Sequence, residues 1–266
     1  MYRTLKVRPF ALAGASRETF IVITSDDTIS RSVYVEGGFE FEKLQKVVSL
    51  LGPGFRLDTL IDIGANIGTI CIPAVCRGFA RSAIAIEPEP RNFSVLTANI
   101  WLNGLSEKIR AHNVALGSES DRLLEFELSP DNSGDHRIRV SSESGLYLES
   151  SRKIISVRSM RYDDVVGAAD RGSQLIWIDT QGYEGVVLQG AAGATSTRVP
   201  IVTEFWPYGM KRAASYGLFK QAVLNYESFF DLSQISPSAV AVSESSIDAL
   251  YRKLGESENV TDLLLR

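Results

Sequence analysis

The segment Leu60–Gly68 constrains the fold of this 266-residue chain more than any other. Its first four residues are apolar apart from Asp62, and they run directly into a turn that contains Gly64 and Gly68. The mostly apolar segment Thr69–Cys76 follows, and it is predicted to be a helix. A buried strand, a glycine turn and a helix N-terminus together form the corner at which ligands bind in a doubly wound sheet. A corner with no ligand is the alternative interpretation.

The spacing of this turn differs from G-x-G-x-x-G, the glycine fingerprint of dinucleotide-binding folds. Asp62 stands immediately before the turn, and Asn66 stands where the fingerprint requires a glycine. A carboxylate at this point repels a pyrophosphate. The segment therefore favours a ligand that carries a cationic amino group or hydroxyls.

The composition is that of a soluble globular protein, with 44% hydrophobic and 23% charged residues. The formal net charge is −4 and the chain has no long Lys/Arg run, so we expect no nucleic-acid partner. The apolar segment Phe10–Ala15 is too short for a signal peptide, and no run approaches the roughly 20 residues of a membrane span. We therefore expect a cytoplasmic protein with no membrane partner; the sequence does not indicate an oligomeric state.

Cysteine and histidine are too sparse to suggest a metal centre. Cys71 and Cys76 lie five residues apart in the predicted helix and are interpreted as small buried hydrophobic residues. His112 and His136 are the two histidines, and neither belongs to a cluster with metal-ligand spacing. We expect no metal site.

Strand and helix patterns alternate from residue 58 to residue 205, which predicts a parallel sheet with right-handed crossovers. The predicted strands of this part are 59–63, 82–86, 109–116, 174–178 and 200–205. The predicted helices lie at about 67–77, 90–102, 163–166 and 187–191. After residue 205 we predict helices at about 214–224 and 247–254, and strands at 229–232 and 261–265.

Two further parts of the chain have other patterns. Segments 19–24 and 32–35 are predicted to be strands, and a helix is predicted to follow at 39–51. Residues 1–57 are therefore expected to be an N-terminal strand/helix extension packed on a main domain of residues 58–266. Between residues 117 and 160, short strands at 123–128 and 153–157 flank a polar loop.

Polar side chains stand at the ends of several predicted strands, namely at Asp62, Glu87, Asn113, Asp179 and Glu204. The carboxyl ends of parallel strands meet at one edge of the sheet, so these side chains converge on one crevice. Glu87 lies about 20 residues beyond the glycine turn, which is the position of an acid that accepts ribose hydroxyls. Asn113 and the two residues after it are placed to flank a nucleobase. Ordinary strand ends and a solvated acid are the alternatives.

Several blocks of the sequence, in their order, resemble the FkbM-type methyltransferases, which are S-adenosylmethionine-dependent enzymes. The blocks are Ile61–Gly68, Ile86–Pro90 with Asn92, Phe93, Leu96, Asn99, Asn103 and Gly104, Val114–Gly117, and Ile178–Glu184 with Leu188–Ala191. The resemblance covers about residues 36–206. It implies the class I methyltransferase fold, an α/β Rossmann-like doubly wound sheet that is mostly parallel with one antiparallel C-terminal strand. Residues 261–265 are the candidate for that strand.

The resemblance also implies S-adenosyl-L-methionine as the cofactor and assigns residues to it. The implied cofactor-binding residues are Asp62, Gly64, Asn66 and Gly68 at the methionine end, Glu87 at the ribose, Asn113, Val114 and Ala115 near adenine, and Ala65, Pro88, Asn92 and Asp179. This cofactor carries a sulfonium cation and ribose hydroxyls but no phosphate, which agrees with acids at the turn. A nicotinamide dinucleotide is the alternative, and it requires a glycine in place of Asn66.

Methyl transfer requires an acceptor held behind the methyl group and, for a hydroxyl, a base. Asp179, His136 and Glu204 are the candidate catalytic residues. The candidate acceptor-binding residues are Asn132, Ser133, His136, Gln181, Glu184, Trp206 and Tyr208. The alternatives are a helix N-cap for Asp179, a surface acid for Glu184, ordinary core aromatics for Trp206 and Tyr208, and a solvated tip for the loop 131–137.

The sequence thus predicts an O-methyltransferase that acts on a hydroxyl of a small molecule, either a sugar or a secondary metabolite. An N-methyltransferase of peptides or small molecules is a second hypothesis. A non-catalytic interaction module with a Rossmann-like fold is a third.

Overall fold

The computed structural model describes residues 5, 7–15, 17–167 and 173–266. Its strands are β1 Phe10–Gly14, β2 Thr19–Ile23, β3 Leu57–Ile63, β4 Ala80–Ile86, β5 Ile109–His112, β6 Ala115–Leu116, β7 Arg122–Leu128, β8 Arg137–Ile138, β9 Lys153–Met160, β10 Gln174–Ile178, β11 Ile201–Phe205, β12 Ser228–Asp231, β13 Val240–Ala241 and β14 Thr261–Leu265. Its α-helices are α1 Ile29–Glu36, α2 Phe41–Leu51, α3 Cys71–Cys76, α4 Pro90–Leu102, α5 Tyr162–Val165, α6 Glu184–Gln189, α7 Ala192–Ser196, α8 Pro207–Arg212, α9 Tyr216–Val223 and α10 Glu244–Leu254. Within the described residues, no helix is long and apolar enough to cross a membrane.

The main sheet has eight strands in the order β13-β12-β14-β11-β10-β3-β4-β5. Strands β11, β10, β3, β4 and β5 pair in parallel. Strand β14 is inserted antiparallel between β11 and β12, and the two-residue β13 adds a second antiparallel strand at the edge. The predicted class I methyltransferase fold is confirmed, including its antiparallel C-terminal strand at 261–265.

Helices cover both faces of this sheet because the central strands are apolar on both sides. Along β3 the buried Leu60 belongs to one core cluster, with residues of α2, α3 and α4. The adjacent Ile61 belongs to the other cluster, with residues of α6, α9 and α10. Successive side chains of a strand point to opposite faces, so a strand buried on both faces is a continuous apolar run.

The N-terminal residues pack on the main sheet's helices. The amide of Asn99 in α4 acts as a strand partner for β2, since its Oδ1 accepts a hydrogen bond from Ile21 N at 2.6 Å and its Nδ2 donates to Ile21 O at 3.1 Å. Phe20 and Val33 share a core cluster with Leu60. The boundary between residues 57 and 58 as a domain limit remains a prediction.

The expectation of a strand at 32–35 is wrong, since these residues belong to helix α1. Asp26 starts this helix: its carboxylate accepts hydrogen bonds from Thr28 N at 3.0 Å and Ser30 N at 2.8 Å. Ile29 and Val33, one helical turn apart, are both buried. Capping and burial of one face thus outweigh the β-propensity of the segment Val33–Val35.

The single strand expected at 109–116 is also wrong, because the chain changes sheets at Asn113. Strand β5 ends at His112, and β6 joins a separate four-stranded sheet in the order β6-β9-β7-β8. The side chain of Asn113 causes the break by donating hydrogen bonds to Glu87 O at 2.8 Å and Pro88 O at 3.0 Å. The strands predicted at 123–128 and 153–157 are confirmed as β7 and β9, and we call this second sheet the insertion sheet.

Candidate active site

Two adjoining cavities lie at the carboxyl edge of the parallel strands. The narrow cleft has a volume of about 60 Å³, and its wall includes Gly64, Asn66, Glu87, Pro88, Val114, Ala115 and Asp179. The wide cavity has a volume of about 1000 Å³, and its wall includes Asn92, Asn132, Ser133, His136, Gln181, Glu204 and Trp206. Ser133 and His136 line both, so the two spaces share a wall formed by the loop 130–136.

Glu87 is the buried acid of the narrow cleft, where it follows β4. Its Oε2 accepts a hydrogen bond from Asn66 N at 2.9 Å, and its Oε1 accepts one from Glu89 N at 2.8 Å. Burial raises the pKa of Glu87 to about 8 despite these backbone donors. Each oxygen keeps a second lone pair, so the carboxyl can still accept hydrogen bonds from two hydroxyls of a ligand.

Asp62 is placed differently from the sequence-based expectation. Its carboxylate accepts a hydrogen bond from Cys71 N at 3.1 Å at the start of α3, and it lines neither cavity. Burial raises its pKa to about 6. Ala65, Gly68 and Asn113 also lie outside the linings of the two cavities. The side chain of Asn113 instead donates a hydrogen bond to the carbonyl oxygen of Glu87. These residues shape the turn, and direct contact with a cofactor remains a prediction for them.

Gly64 lets the loops after β3 and β10 approach closely. It adopts a φ of +87°, and a Cβ at this position would lie 2.0 Å from the carbonyl oxygen of Asp179. Only glycine tolerates both the torsion and the contact. The close approach brings Asp179 to the narrow cleft.

Gln181 joins Asp179, which follows β10, to Glu204, which lies near the end of β11. Its Nε2 donates to Asp179 Oδ1 at 2.6 Å and to Glu204 Oε1 at 3.1 Å. Burial raises the pKa of Asp179 to about 8, and the negative charges of Glu40, Asp262 and Glu184 add to the shift. Burial also raises the pKa of Glu204 well above its ordinary value, with further contributions from the charges of Asp179, Glu184 and Asp262. Glu204 Oε2 has no hydrogen-bond partner within the described part of the chain. The pair lies between the two cavities.

Glu184 is not the surface acid of the alternative interpretation, because it is fully buried. Its Oε1 accepts hydrogen bonds from Thr180 N at 2.9 Å and Gly182 N at 3.2 Å. It lines neither cavity and fixes the turn that carries Asp179 and Gln181. Asp179 does not cap α6 either, since the residue at the N-cap is Tyr183.

His136 lies in the wall between the cavities and is neutral. Its Nδ1 accepts a hydrogen bond from Ser129 N at 3.0 Å, so the proton of the neutral ring is on Nε2. Burial, with the nearby cations Arg152 and Arg91, lowers its pKa to about 4 although Asp26 acts in the opposite direction. This arrangement suits a hydrogen-bond donor and does not suit the expected base near neutral pH.

An aromatic wall borders the wide cavity. Trp206 and Tyr147 meet edge to face with ring centroids 5.3 Å apart, and both line the cavity. Tyr208 packs behind them and donates a hydrogen bond to Glu149 Oε1 at 2.6 Å, outside the lining. The guanidinium of Arg137 lies 5.2 Å from the Trp206 ring centroid and 5.4 Å from that of Tyr147.

Some lining residues were not expected from the sequence: Asp26 of the N-terminal segment, and Tyr147 and Arg152 of the segment between β8 and β9. Asp26 and its neighbour Asp27 have the turn composition that precedes a helix, and this was the only signal for it. No sequence pattern indicated Tyr147 or Arg152 as lining residues, because their position depends on long-range contacts. Among the described residues, no group of three or more His, Cys, Asp or Glu side chains is arranged to hold a metal ion.

The strand order and the inserted antiparallel β14 define the class I methyltransferase fold. The model of the methyltransferase FkbM domain matches residues 62–232, which is more than half of the chain. The chain belongs to the FkbM methyltransferase family. No curated protein gives a significant match.

Solved structures similar to this chain include methyltransferases at low sequence identity. The methyltransferase FkbM from Methylobacillus flagellatus KT is 15% identical with a TM-score of 0.47, over 79% of this chain and 44% of that one. A Pyrococcus horikoshii protein, TYW2 in complex with MeSAdo, is 13% identical with a TM-score of 0.43, over 97% and 70%. The chain therefore spans less than half the length of the Methylobacillus protein.

Proposed function

We propose that this protein is an S-adenosylmethionine-dependent methyltransferase that methylates a hydroxyl of a sugar or secondary metabolite. The observation that carries the proposal is the buried carboxyl of Glu87 at the edge of the narrow cleft, held by Asn66 N and Glu89 N. An acid after the second strand of such a sheet is placed to accept ribose hydroxyls. Membership of the FkbM family supports the reaction type.

The residues that fit the cofactor line the narrow cleft, and because this cleft has a volume of only about 60 Å³, part of the cofactor would extend into the adjoining wide cavity. Glu87 would hold the ribose, Val114 and Ala115 the adenine, and Gly64, Asn66 and Asp179 the remainder of the molecule. When bound, the cofactor supplies an electrophilic methyl group on a sulfur leaving group. The protein's own contribution is orientation, which can supply about 7–11 kcal/mol of the barrier reduction.

Asp179 and Glu204 are the groups that would take the proton of an acceptor hydroxyl. Their burial raises their pKa values toward the range in which a carboxylate is an effective base near neutral pH. Gln181 would hold the two carboxyls in place, and His136 would donate a hydrogen bond to an acceptor oxygen. Because the pKa of about 8 leaves part of Asp179 protonated at neutral pH, methyl transfer should accelerate as the pH rises from 7 toward 8.

The wide cavity supports a small-molecule acceptor. Trp206 and Tyr147 offer ring faces and edges of the kind that pack against a sugar or a carbocycle. The net charge of −4 supports such an acceptor over a nucleic acid.

The test is incubation of the purified protein with isotopically labelled methyl donor and a metabolite extract from its host. We expect a labelled product whose methyl group is on oxygen, and an at least tenfold slower reaction with Asp179→Asn although the cofactor still binds. A labelled methyl group on nitrogen would favour the N-methyltransferase hypothesis. The absence of binding heat with the cofactor at millimolar concentration would favour the non-catalytic module.

A further inference from the structure

The N-terminal segment, which precedes the region matched by the family model, contributes to the walls of both cavities. Asp26 lines the wide cavity and Ile29, the first residue of α1, lines the narrow cleft. The family match begins at residue 62. This part of the chain lies outside the matched region and nevertheless contacts the candidate site.

Asp26 reaches the glycine turn through one intermediate, Ser133. Ser133 Oγ donates a hydrogen bond to Asp26 Oδ2 at 2.7 Å, and this uses its single proton because a carboxylate can only accept. Asn66 Nδ2 in turn donates to the Ser133 carbonyl oxygen at 3.0 Å and lies 3.3 Å from its Oγ. All three residues are buried, with exposed fractions of 2%, 8% and 6% for Asp26, Ser133 and Asn66.

Asn66 also connects Ser133 to Glu87, the buried acid of the narrow cleft. Its backbone N–H is the donor to Glu87 Oε2, and its own φ of +50° lies in the left-handed region. An asparagine tolerates this torsion at some cost, so the turn depends on outside contacts to keep it. A continuous chain of hydrogen bonds thus runs from Asp26 through Ser133 and Asn66 to Glu87.

We propose that Asp26 and Ser133 are positioning residues for the nucleoside part of the cofactor. They hold two parts of the wall of the narrow cleft, the turn at Asn66 and the loop 130–136, against each other. The inference rests on the proposed function, because it takes S-adenosylmethionine as the ligand of this cleft. It assigns the N-terminal segment a role in cofactor affinity in addition to its packing role.

A purely structural role for Asp26 is the competing explanation, since its carboxylate also caps α1. Substitution of Ser133 separates the two roles, because Ser133→Ala removes the hydroxyl and leaves the cap of α1 intact. Ser133→Thr keeps a hydroxyl and serves as the conservative rescue. Glu18→Gln is the matched control: Glu18 is a buried acid of the same N-terminal segment that pairs with Arg77 Nε at 2.8 Å and lines neither cavity.

The measurement is calorimetric titration of each full-length variant with S-adenosylhomocysteine, with urea unfolding of the same samples. Loss of one buried hydrogen bond predicts a Kd about three- to tenfold higher for Ser133→Ala. We expect Ser133→Thr to bind within about twofold of wild type. Glu18→Gln should unfold at lower urea concentration but keep the wild-type Kd. Asp26→Asn, which retains one oxygen for the helix cap, should raise the Kd in the same direction as Ser133→Ala.

Two outcomes would overturn the inference while leaving the proposed function intact. One is a wild-type Kd for both Ser133→Ala and Asp26→Asn. The other is an equal loss of affinity in Glu18→Gln, which would mean that any loosening of the N-terminal segment has the same effect. Failure of the wild-type protein itself to bind S-adenosylhomocysteine would instead contradict the proposed function, and the inference with it.

Discussion

Gly64 and Gly78 both adopt a left-handed φ, at +87° and +75°, but their surroundings differ. A Cβ on Gly64 would collide with the Asp179 carbonyl oxygen, whereas a Cβ on Gly78 would meet no atom within 4 Å. Substitutions at the two positions therefore separate the stability cost of the left-handed torsion from that of the steric overlap. Only the contact concerns the candidate site, because it brings Asp179 to the cleft.

We predict that Gly78→Ala lowers the free energy of unfolding by about 1–2 kcal/mol, which is the cost of the left-handed torsion alone. Gly64→Ala should cost at least about 2 kcal/mol more, because backbone must move to relieve the overlap. Urea unfolding measures both values. Equal values for the two variants would mean that the loops after β3 and β10 are not in contact as described.

Single residues at strand ends were largely predictable from the sequence, whereas residues connected through side chains were not. Glu87 and Asp179 follow apolar strands, and topology alone brings such positions to one edge. Asp26 and Ser133 are 107 positions apart, and no local pattern relates them. Asp62 shows the same limit, since its position at the edge was expected but its hydrogen bond to Cys71 N was not.

At the scale of elements, a cluster of buried charges joins the insertion sheet to helix α8. Arg137 in β8 bonds to Glu127 Oε1 at 2.9 Å and to Glu149 Oε1 at 3.2 Å, and all three side chains are almost fully buried. The acid Glu149 also accepts a hydrogen bond from Tyr208 in α8. Residues of β7, β8 and α8 thereby hold the aromatic wall of the wide cavity.

Arg137→Met should lower the free energy of unfolding by about 3–5 kcal/mol, because it leaves Glu127 and Glu149 buried without this cation. The matched control is Arg158→Met in β9, whose partner Asp121 and own guanidinium are largely exposed. That change should cost at most about 1 kcal/mol. Urea unfolding at neutral pH would contradict the prediction if the two variants lost the same stability.

The strong periodic elements of the main sheet were predictable, and the errors fell where tertiary contacts decide. Segments 57–63, 80–86 and 174–178 are mostly apolar, and their length and pattern indicate buried strands. The segment Val33–Val35 has strand-type residues but is helical, because Asp26 caps its N-terminal side and Val33 is buried on one helix face. The break at Asn113 depends on hydrogen bonds to residues on another strand.

For the whole molecule, several buried acids at one edge of the sheet give stability a pH dependence. Burial raises the pKa of Glu87 to about 8, so the folded state favours its protonated form. A group of this kind contributes stability that is fully present below its unfolded pKa of about 4.3 and is lost as pH rises toward 8. Glu204 acts in the same direction. The lowered pKa of His136 affects the pH dependence of stability only below about pH 6.5. At alkaline pH the buried acids therefore determine it.

We therefore predict that the free energy of unfolding decreases between pH 7 and pH 8.5, and that Glu87→Gln reduces the decrease. Urea unfolding at several pH values in that range measures the slope for both proteins. Identical slopes would show that Glu87 is not a buried acid with a raised pKa.

The central claim is that Glu87 holds the ribose of S-adenosylmethionine in the narrow cleft. Calorimetric titration of S-adenosylhomocysteine into wild-type protein and Glu87→Gln tests it most directly. At pH 8.5, above the pKa of about 8 of the Glu87 carboxyl, the account predicts one site in the wild type and, from the loss of charge-assisted hydrogen bonds, a Kd about 10- to 100-fold higher in the variant. Equal affinity of the two proteins, or no binding to the wild type, would contradict it.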